Sequence, residues 1–288
     1  MVGLLGGHVS IPTLFLTAAT ILAALAVVMV FFASLRRVYP GFREWALGQV
    51  AGAIGLVLLA LRGKVPDLIS VLLANLAILL YSAFAVRGFR RFYALPKVRG
   101  LSADVILVAI AMGLLTWFTW IDPDVRARIV VFGVVAGILH AYAGLAPLAA
   151  KEARANRVQR ALSAAYAVIA LVYLFRGARS LVAGPMVGLA DDPTLVVQVL
   201  TAVASQVAIT CGLIYLNFDR AGAEIAEKEC RLRLAQDAAR AGSWETELTT
   251  GRTFWSEGLW ASTGSPRVRV SRRSTRGWAS STQRIARR

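Results

Sequence analysis

The chain has 288 residues, 57% of them in the hydrophobic set, and a mean hydropathy of +0.63. That average is too apolar for an ordinary soluble domain, and it is concentrated in blocks. Two cysteines, Cys211 and Cys230, are too few for a disulfide framework and lack metal-motif spacing. The net charge of +16 does not mark a nucleic-acid partner, because most Arg and Lys residues sit in short loops between apolar blocks.

Hydropathy predicts seven membrane-spanning helices: Ile11–Leu35, Trp45–Leu61, Leu68–Val86, Leu101–Ile121, Ile129–Ala149, Val158–Phe175 and Thr194–Asn217. A helix rises ~1.5 Å per residue and the hydrocarbon core is ~30 Å thick, so about 20 residues suffice. Backbone N–H and C=O groups find no water in lipid, so each span must satisfy its own hydrogen bonds as a helix. Ile11–Leu35 does not read as a cleavable signal peptide, because its apolar run is too long and no Lys or Arg precedes it. Val158–Phe175 is the shortest apolar centre; Arg160 and Arg176 bracket it and are expected to snorkel to the interfaces.

Loop charges give the orientation. The loops after the first, third and fifth spans hold twelve Arg and Lys residues. The alternate loops hold six, namely Arg62, Lys64, Arg126, Arg128, Arg176 and Arg179. The N-terminus is therefore expected outside and the C-terminus in the cytoplasm, which requires an odd number of spans. Trp117 and Trp120 at the outer end, and Trp45, Tyr215 and Phe218 at the inner end, read as an interfacial aromatic belt. The longest external loop, residues 176–193, carries Asp191 and Asp192. It is too short for a folded extracellular domain, so a stimulus must be read in the membrane, at its surface or inside the cell.

Gln49, Asn75, His140, Gln198, Gln206 and Thr210 are the notable polar side chains at membrane depth. They fit either inter-helix hydrogen bonding, at about 0.6 kcal/mol each, or a small-molecule site inside the bundle. Gly48 with Gly52, and Gly133 with Gly137, permit close helix packing within the bundle or at a dimer seam. His140 is the one candidate cofactor ligand. Its partner for a bis-histidine haem would be His8, before the first span, whereas His140 lies ~18 Å along its helix from the outer end. Retinal needs a lysine, and none of the four lysines is mid-membrane. No cofactor is therefore expected. Intramembrane charges or paired broken helices would mark a transporter; the spans contain neither a buried acid nor a convincing repeat.

After Asn217 the chain turns charged and helical. Phe218, Ala221, Ile225 and Leu232 form a short apolar stripe interrupted by Lys228, over a predicted linker at 218–240. The stripe fits either a solvated helix or a dimeric signalling helix. A hairpin follows: Trp244, Thr246 and Leu248 alternate with Glu245 and Glu247, Thr249-Thr250-Gly251 makes the turn, Arg252–Trp255 returns, and Ser256 caps a following helix.

The Leu232-Arg-Leu-Ala helix, Ala241-Gly242-Ser243-Trp244-Glu245, Thr250-Gly251 and Trp255-Ser256 resemble the start of a PAS domain of bacterial sensor proteins. Tyr39-Pro-Gly-Phe-Arg-Glu-Trp through Leu61-Arg-Gly is similar to membrane input regions of bacterial diguanylate cyclases and histidine kinases. The resemblance implies a receptor in the bacterial inner membrane, with a sensor region at 1–217, a partial α+β PAS domain at 232–264 marked by Trp244, Gly251 and Trp255, and a homodimer through the helix after Asn217. No phosphoacceptor helix, ATP-binding glycine motif or GGDEF sequence is present, so no catalytic residue is expected; kinase or cyclase activity would belong to longer relatives. Residues 265–288 hold eight Arg, no Asp or Glu, and no Leu or Phe, and read as a disordered basic tail. Its abrupt composition is expected to mark a truncated or out-of-frame end. The resulting expectation is an all-α polytopic bundle in a lipid bilayer, a PAS fragment and a tail, acting as a signal-sensing input module. A small-solute transporter is the alternative.

Overall fold

The computed structural model describes residues 10–35, 38–96, 102–149, 157–182, 192, 194–239, 243–247, 249–256 and 258–260. The chain forms α1 (Ile11–Leu35), α2 (Phe42–Ala60), a π-helical turn (Leu68–Leu73) leading into α3 (Ala74–Phe92), α4 (Ala103–Thr116) ending in a π-helical turn (Trp117–Ile121), α5 (Val125–Ala149), α6 (Arg157–Val182), α7 (Thr194–Ala238), and strands β1 (Trp244–Glu247) and β2 (Arg252–Trp255). Among the described residues, seven helices are long and apolar enough to cross a membrane. They coincide with the seven predicted spans. The chain divides into one unit ending at Phe218 and a second beginning at Asp219.

The first unit is a multi-pass helical bundle with an apolar core, some buried polar side chains and an apolar exterior unlike that of a soluble protein. Large apolar side chains cover its exterior: Val27 is 68% exposed, Leu171 65% and Phe175 63%. Gln49, Gln206, Thr210 and His140 are buried inside. Such an exterior is stable against hydrocarbon and unfavourable against water.

Several helices run past the predicted ends. α3 continues to Phe92 through Arg87, Arg90 and Arg91, α5 begins before Arg126 and Arg128, and α6 extends from Arg157 to Val182. Hydropathy stops at charge, but backbone hydrogen bonding does not. The charges at these ends find partners: Arg91 with Glu44, and Arg87 Nε with Asp104 Oδ2 at 2.8 Å. Asp104 and Asp192 are both buried, so the expectation of no buried acid is corrected. Each stands at a helix start and is paired with an arginine, which hydropathy averaging cannot see.

The glycine pairs pack within the bundle. A Cβ on Gly133 would lie 2.7 Å from the Tyr173 carbonyl oxygen, and one on Gly137 would lie 2.7 Å from Leu174 Cγ, so α5 and α6 approach backbone to backbone. Gly48 likewise faces Tyr81 and Phe84 of α3. Trp45 does not join the interfacial belt. It is 2% exposed, its indole occupies the space left by Gly88, and Nε1 donates to the Ala85 carbonyl at 3.3 Å. Trp117 and Trp120 remain exposed, as a belt requires.

In the second unit, β1 and β2 pair antiparallel with Trp244 opposite Trp255 and Glu247 opposite Arg252. Gly251 takes φ +67°, a conformation that favours glycine, and closes the turn. Ser256 Oγ accepts from the Ser243 N–H at 2.8 Å. Among the described residues only this two-stranded hairpin forms, and it does not support the expected PAS fragment. Trp244 is exposed, because a lone two-stranded ribbon has no second layer to bury it. Residues 265–288, His8 and Leu248 lie outside the described residues.

Candidate functional site

The bundle holds a partly open cavity of about 120 Å³ lined by residues of all seven helices and of the short connection between α2 and α3. It reaches from Phe15, Leu59, Arg62, Val125 and Leu195, at the end of the bundle where α1 begins, inward to Tyr81, His140 and Gln206. The π-helical turn places Val71 and, one turn later, Asn75 on its wall. Such a widened turn offsets the helical register locally and is frequent at functional sites. Asn75 Nδ2 donates back to the Val71 carbonyl at 2.7 Å.

Four of the polar residues singled out from sequence, Asn75, His140, Gln198 and Gln206, line this one cavity. Gln49 stands two hydrogen bonds away, through Thr210. Tyr81 Oη donates to Gln206 Oε1; Gln206 Nε2 and Gln49 Nε2 both donate to Thr210 Oγ1, at 3.4 and 2.9 Å. This ladder ties α2 and α3 to α7. The PAS-like positions Trp244, Gly251 and Trp255 belong to the hairpin of the second unit.

His140 Nδ1 lies 2.7 Å from the Ala136 carbonyl, which can only accept, so Nδ1 carries the proton. Nε2 of the neutral ring is then an acceptor. The rings of Tyr81, Tyr166 and Tyr173 surround His140, with centroids 5.8, 6.1 and 5.3 Å away. Among the described residues no three His, Cys, Asp or Glu side chains converge to hold a metal ion. His140 is placed to hydrogen-bond.

The charged part of the site was not legible in composition. Arg176, expected to snorkel, is 7% exposed. Its Nε donates to Asp192 Oδ2 at 2.5 Å and its Nη1 to Gln198 Oε1 at 2.9 Å, while its buried Nη2 has no hydrogen-bond partner among the described residues. The second Asp192 oxygen accepts from the Thr194 N–H at 2.9 Å and Oγ1 at 2.6 Å, which fixes the start of α7. Burial opposes the Asp192 charge, but hydrogen bonds from Thr194 and Arg176, with the Arg176 charge, outweigh it and hold the carboxyl below its usual pKa. Arg62 and Arg128 also line the cavity, half-buried. Burial and the nearby Arg128 charge lower the Arg62 pKa, and Asp67 partly opposes them.

A further polar link closes the opposite end of the bundle, where the Tyr39 N–H donates to Asn217 Oδ1 at 3.0 Å. Three side chains of α7 besides Thr210, namely Gln198, Gln206 and Asn217, are thus held by other helices of the bundle or their connections. No protein-family model matches the chain, and no curated protein or solved structure matches it.

Proposed function

We propose that this chain is the membrane-embedded input module of a bacterial signal receptor. The N-terminus is external and the C-terminus cytoplasmic. A stimulus alters packing around the central cavity, and α7 carries the change toward the PAS-like hairpin. The supporting observation is that α7 contributes six cavity-lining residues, Leu195, Gln198, Val199, Ala202, Val203 and Gln206, and is also the helix that leads to the hairpin. A ligand or bundle rearrangement at the cavity cannot leave α7 untouched. A homodimer through the stripe of Ala221, Ile225 and Leu232 supplies the two-state element that transmission needs.

Two measurements test this reading. Reporter fusions beyond Trp260 must be active as cytoplasmic and not as periplasmic reporters; a periplasmic result removes the receptor reading. A spin label at Ile225, with Cys211 and Cys230 replaced, reports spacing between protomers. Removing the Tyr81–Gln206 link with Tyr81→Phe is expected to change that spacing; an unchanged distribution contradicts transmission through α7.

The buried Arg176–Asp192 pair beside a polar cavity gives a second reading, a small-solute transporter. Net uptake by proteoliposomes would replace the receptor reading with it.

A further inference from the structure

We infer that the cavity binds a small organic carboxylate, its anionic head among Arg62, Arg128 and Arg176 and an apolar body about the size of one aromatic ring beyond them. This deepens the receptor reading and rests on it for the consequence of binding, though not for occupancy of the site.

The charge argument comes first. Among the described residues the lining contains three guanidinium groups and no carboxylate. Asp192 engages Nε of Arg176, and the buried Nη2 has no hydrogen-bond partner among the described residues. An unsatisfied donor on a charged buried group is costly, so an acceptor brought by a ligand is strongly favoured there. Arg62 and Arg128 repel one another, and neither forms an ion pair within 4.0 Å among the described residues. Asp67, which acts on both, is exposed and outside the lining. Planar guanidinium forks match a carboxylate in two-point geometry.

Size and polarity narrow the class. About 120 Å³ is close to the roughly 150 Å³ apolar cavity that holds benzene. Behind the arginines the walls are Leu22, Leu115, Phe132, Ile169 and Val199. A bare inorganic anion leaves this apolar space empty, and a neutral aromatic leaves the guanidinium groups unanswered.

The test uses the full chain in phosphatidylcholine nanodiscs, with thermal unfolding and calorimetric titration of benzoate, benzamide and inorganic phosphate. Benzoate is expected to raise Tm saturably, with benzamide and phosphate at least tenfold weaker. Arg62→Gln and Arg128→Gln should each weaken benzoate about tenfold, the scale of one charge-assisted contact. Both positions are half-buried and outside the Arg176–Asp192 pair, so helical content and ligand-free Tm verify folding. Ala202→Leu keeps every arginine, fills the apolar space, and should abolish the benzoate effect.

Equal stabilisation by benzamide or by phosphate overturns the inference. So does retained benzoate affinity in both arginine variants, or loss of the benzoate effect when phosphatidylglycerol is added, which would assign the arginines to lipid headgroups. Absence of any benzoate effect overturns it while leaving the cytoplasmic reporter result intact. Benzoate binding without a change in Ile225 spacing keeps the carboxylate site and removes the receptor reading.

Discussion

Replacing Asp192 with alanine isolates the Arg176 ion pair, a buried charge pair beside the cavity. Their side chains are 8% and 1% exposed and their atoms meet at 2.5 Å, so solvent screens the interaction little. Removing one partner leaves the Arg176 guanidinium buried with the Gln198 bond, at a cost of about 3–5 kcal/mol. The same substitution strips two hydrogen bonds from Thr194 at the start of α7, worth about 1 kcal/mol more. Replacing both partners, Arg176→Met with Asp192→Ala, removes the stranded charge and should recover most of the loss. The assay is reversible unfolding in mixed dodecylmaltoside and dodecyl sulfate micelles, followed by circular dichroism. The same pair sets an acid limit. The Asp192 carboxyl has a folded-state pKa below its unfolded value of about 3.9. Its stabilisation is therefore complete above that value and is lost as pH falls through the lower, folded one. Wild type should weaken in that acid window more steeply than the double variant. A single Asp192→Ala variant costing under about 1 kcal/mol would refute the buried-pair reasoning.

Other parts of the bundle give separate tests. Gly133→Ala should destabilise by about 1–3 kcal/mol, because its Cβ meets the Tyr173 carbonyl and Gly177 backbone, which cannot yield without parting α5 and α6. Gly113→Ala, with nothing near its Cβ, should stabilise by about 0.5–1 kcal/mol in the same micelle assay. Gln206→Leu breaks the bonds to Tyr81 and Thr210 and should cost about 1 kcal/mol, less than its burial alone would imply. In brominated-lipid vesicles, a variant retaining only Trp117 and Trp120 should be strongly quenched, while one retaining only Trp45 should not; equal quenching would put Trp45 at the lipid boundary.

The seven spans were legible because lipid leaves a chain few options, and the requirement shows in simple averages over 20 residues. Helix ends were not, because averaging treats Arg87 or Arg126 as a stop where the backbone merely needs a charge with somewhere to go. The polar residues were legible by depth alone, and four of those singled out share one cavity. Tyr81 and Tyr173 were passed over, since an aromatic ring in a span reads as packing until its hydroxyl finds a partner. The hairpin was legible through Gly251 and the alternation of Trp244 with Glu245. The fuller α+β fragment implied by its likeness is not seen, because among the described residues no further strand joins the hairpin.

Helical period carries more of the site than composition does. On α7, residues 195, 198, 199, 202, 203 and 206 are spaced three or four apart and form one face, which places Gln198 and Gln206 with the cavity. On α6, Ile169, Tyr173 and Arg176 follow the same spacing, and Leu162 and Tyr166 extend the stripe inward, buried. Arg176 is therefore the next position on a core-facing stripe and not the first residue of a loop. Its companion follows from that placement. A guanidinium turned inward at the end of a span demands a carboxylate at the same depth. The connection to α7 offers Asp192, which pairs with it. Arg176 both lines the cavity and pairs with Asp192, so the ion pair that fixes α7 and a charge on the cavity wall belong to one side chain. A ligand that satisfies Nη2 is then coupled, through Nε and Nη1, to Asp192 and Gln198 at the beginning of the helix that leaves the bundle.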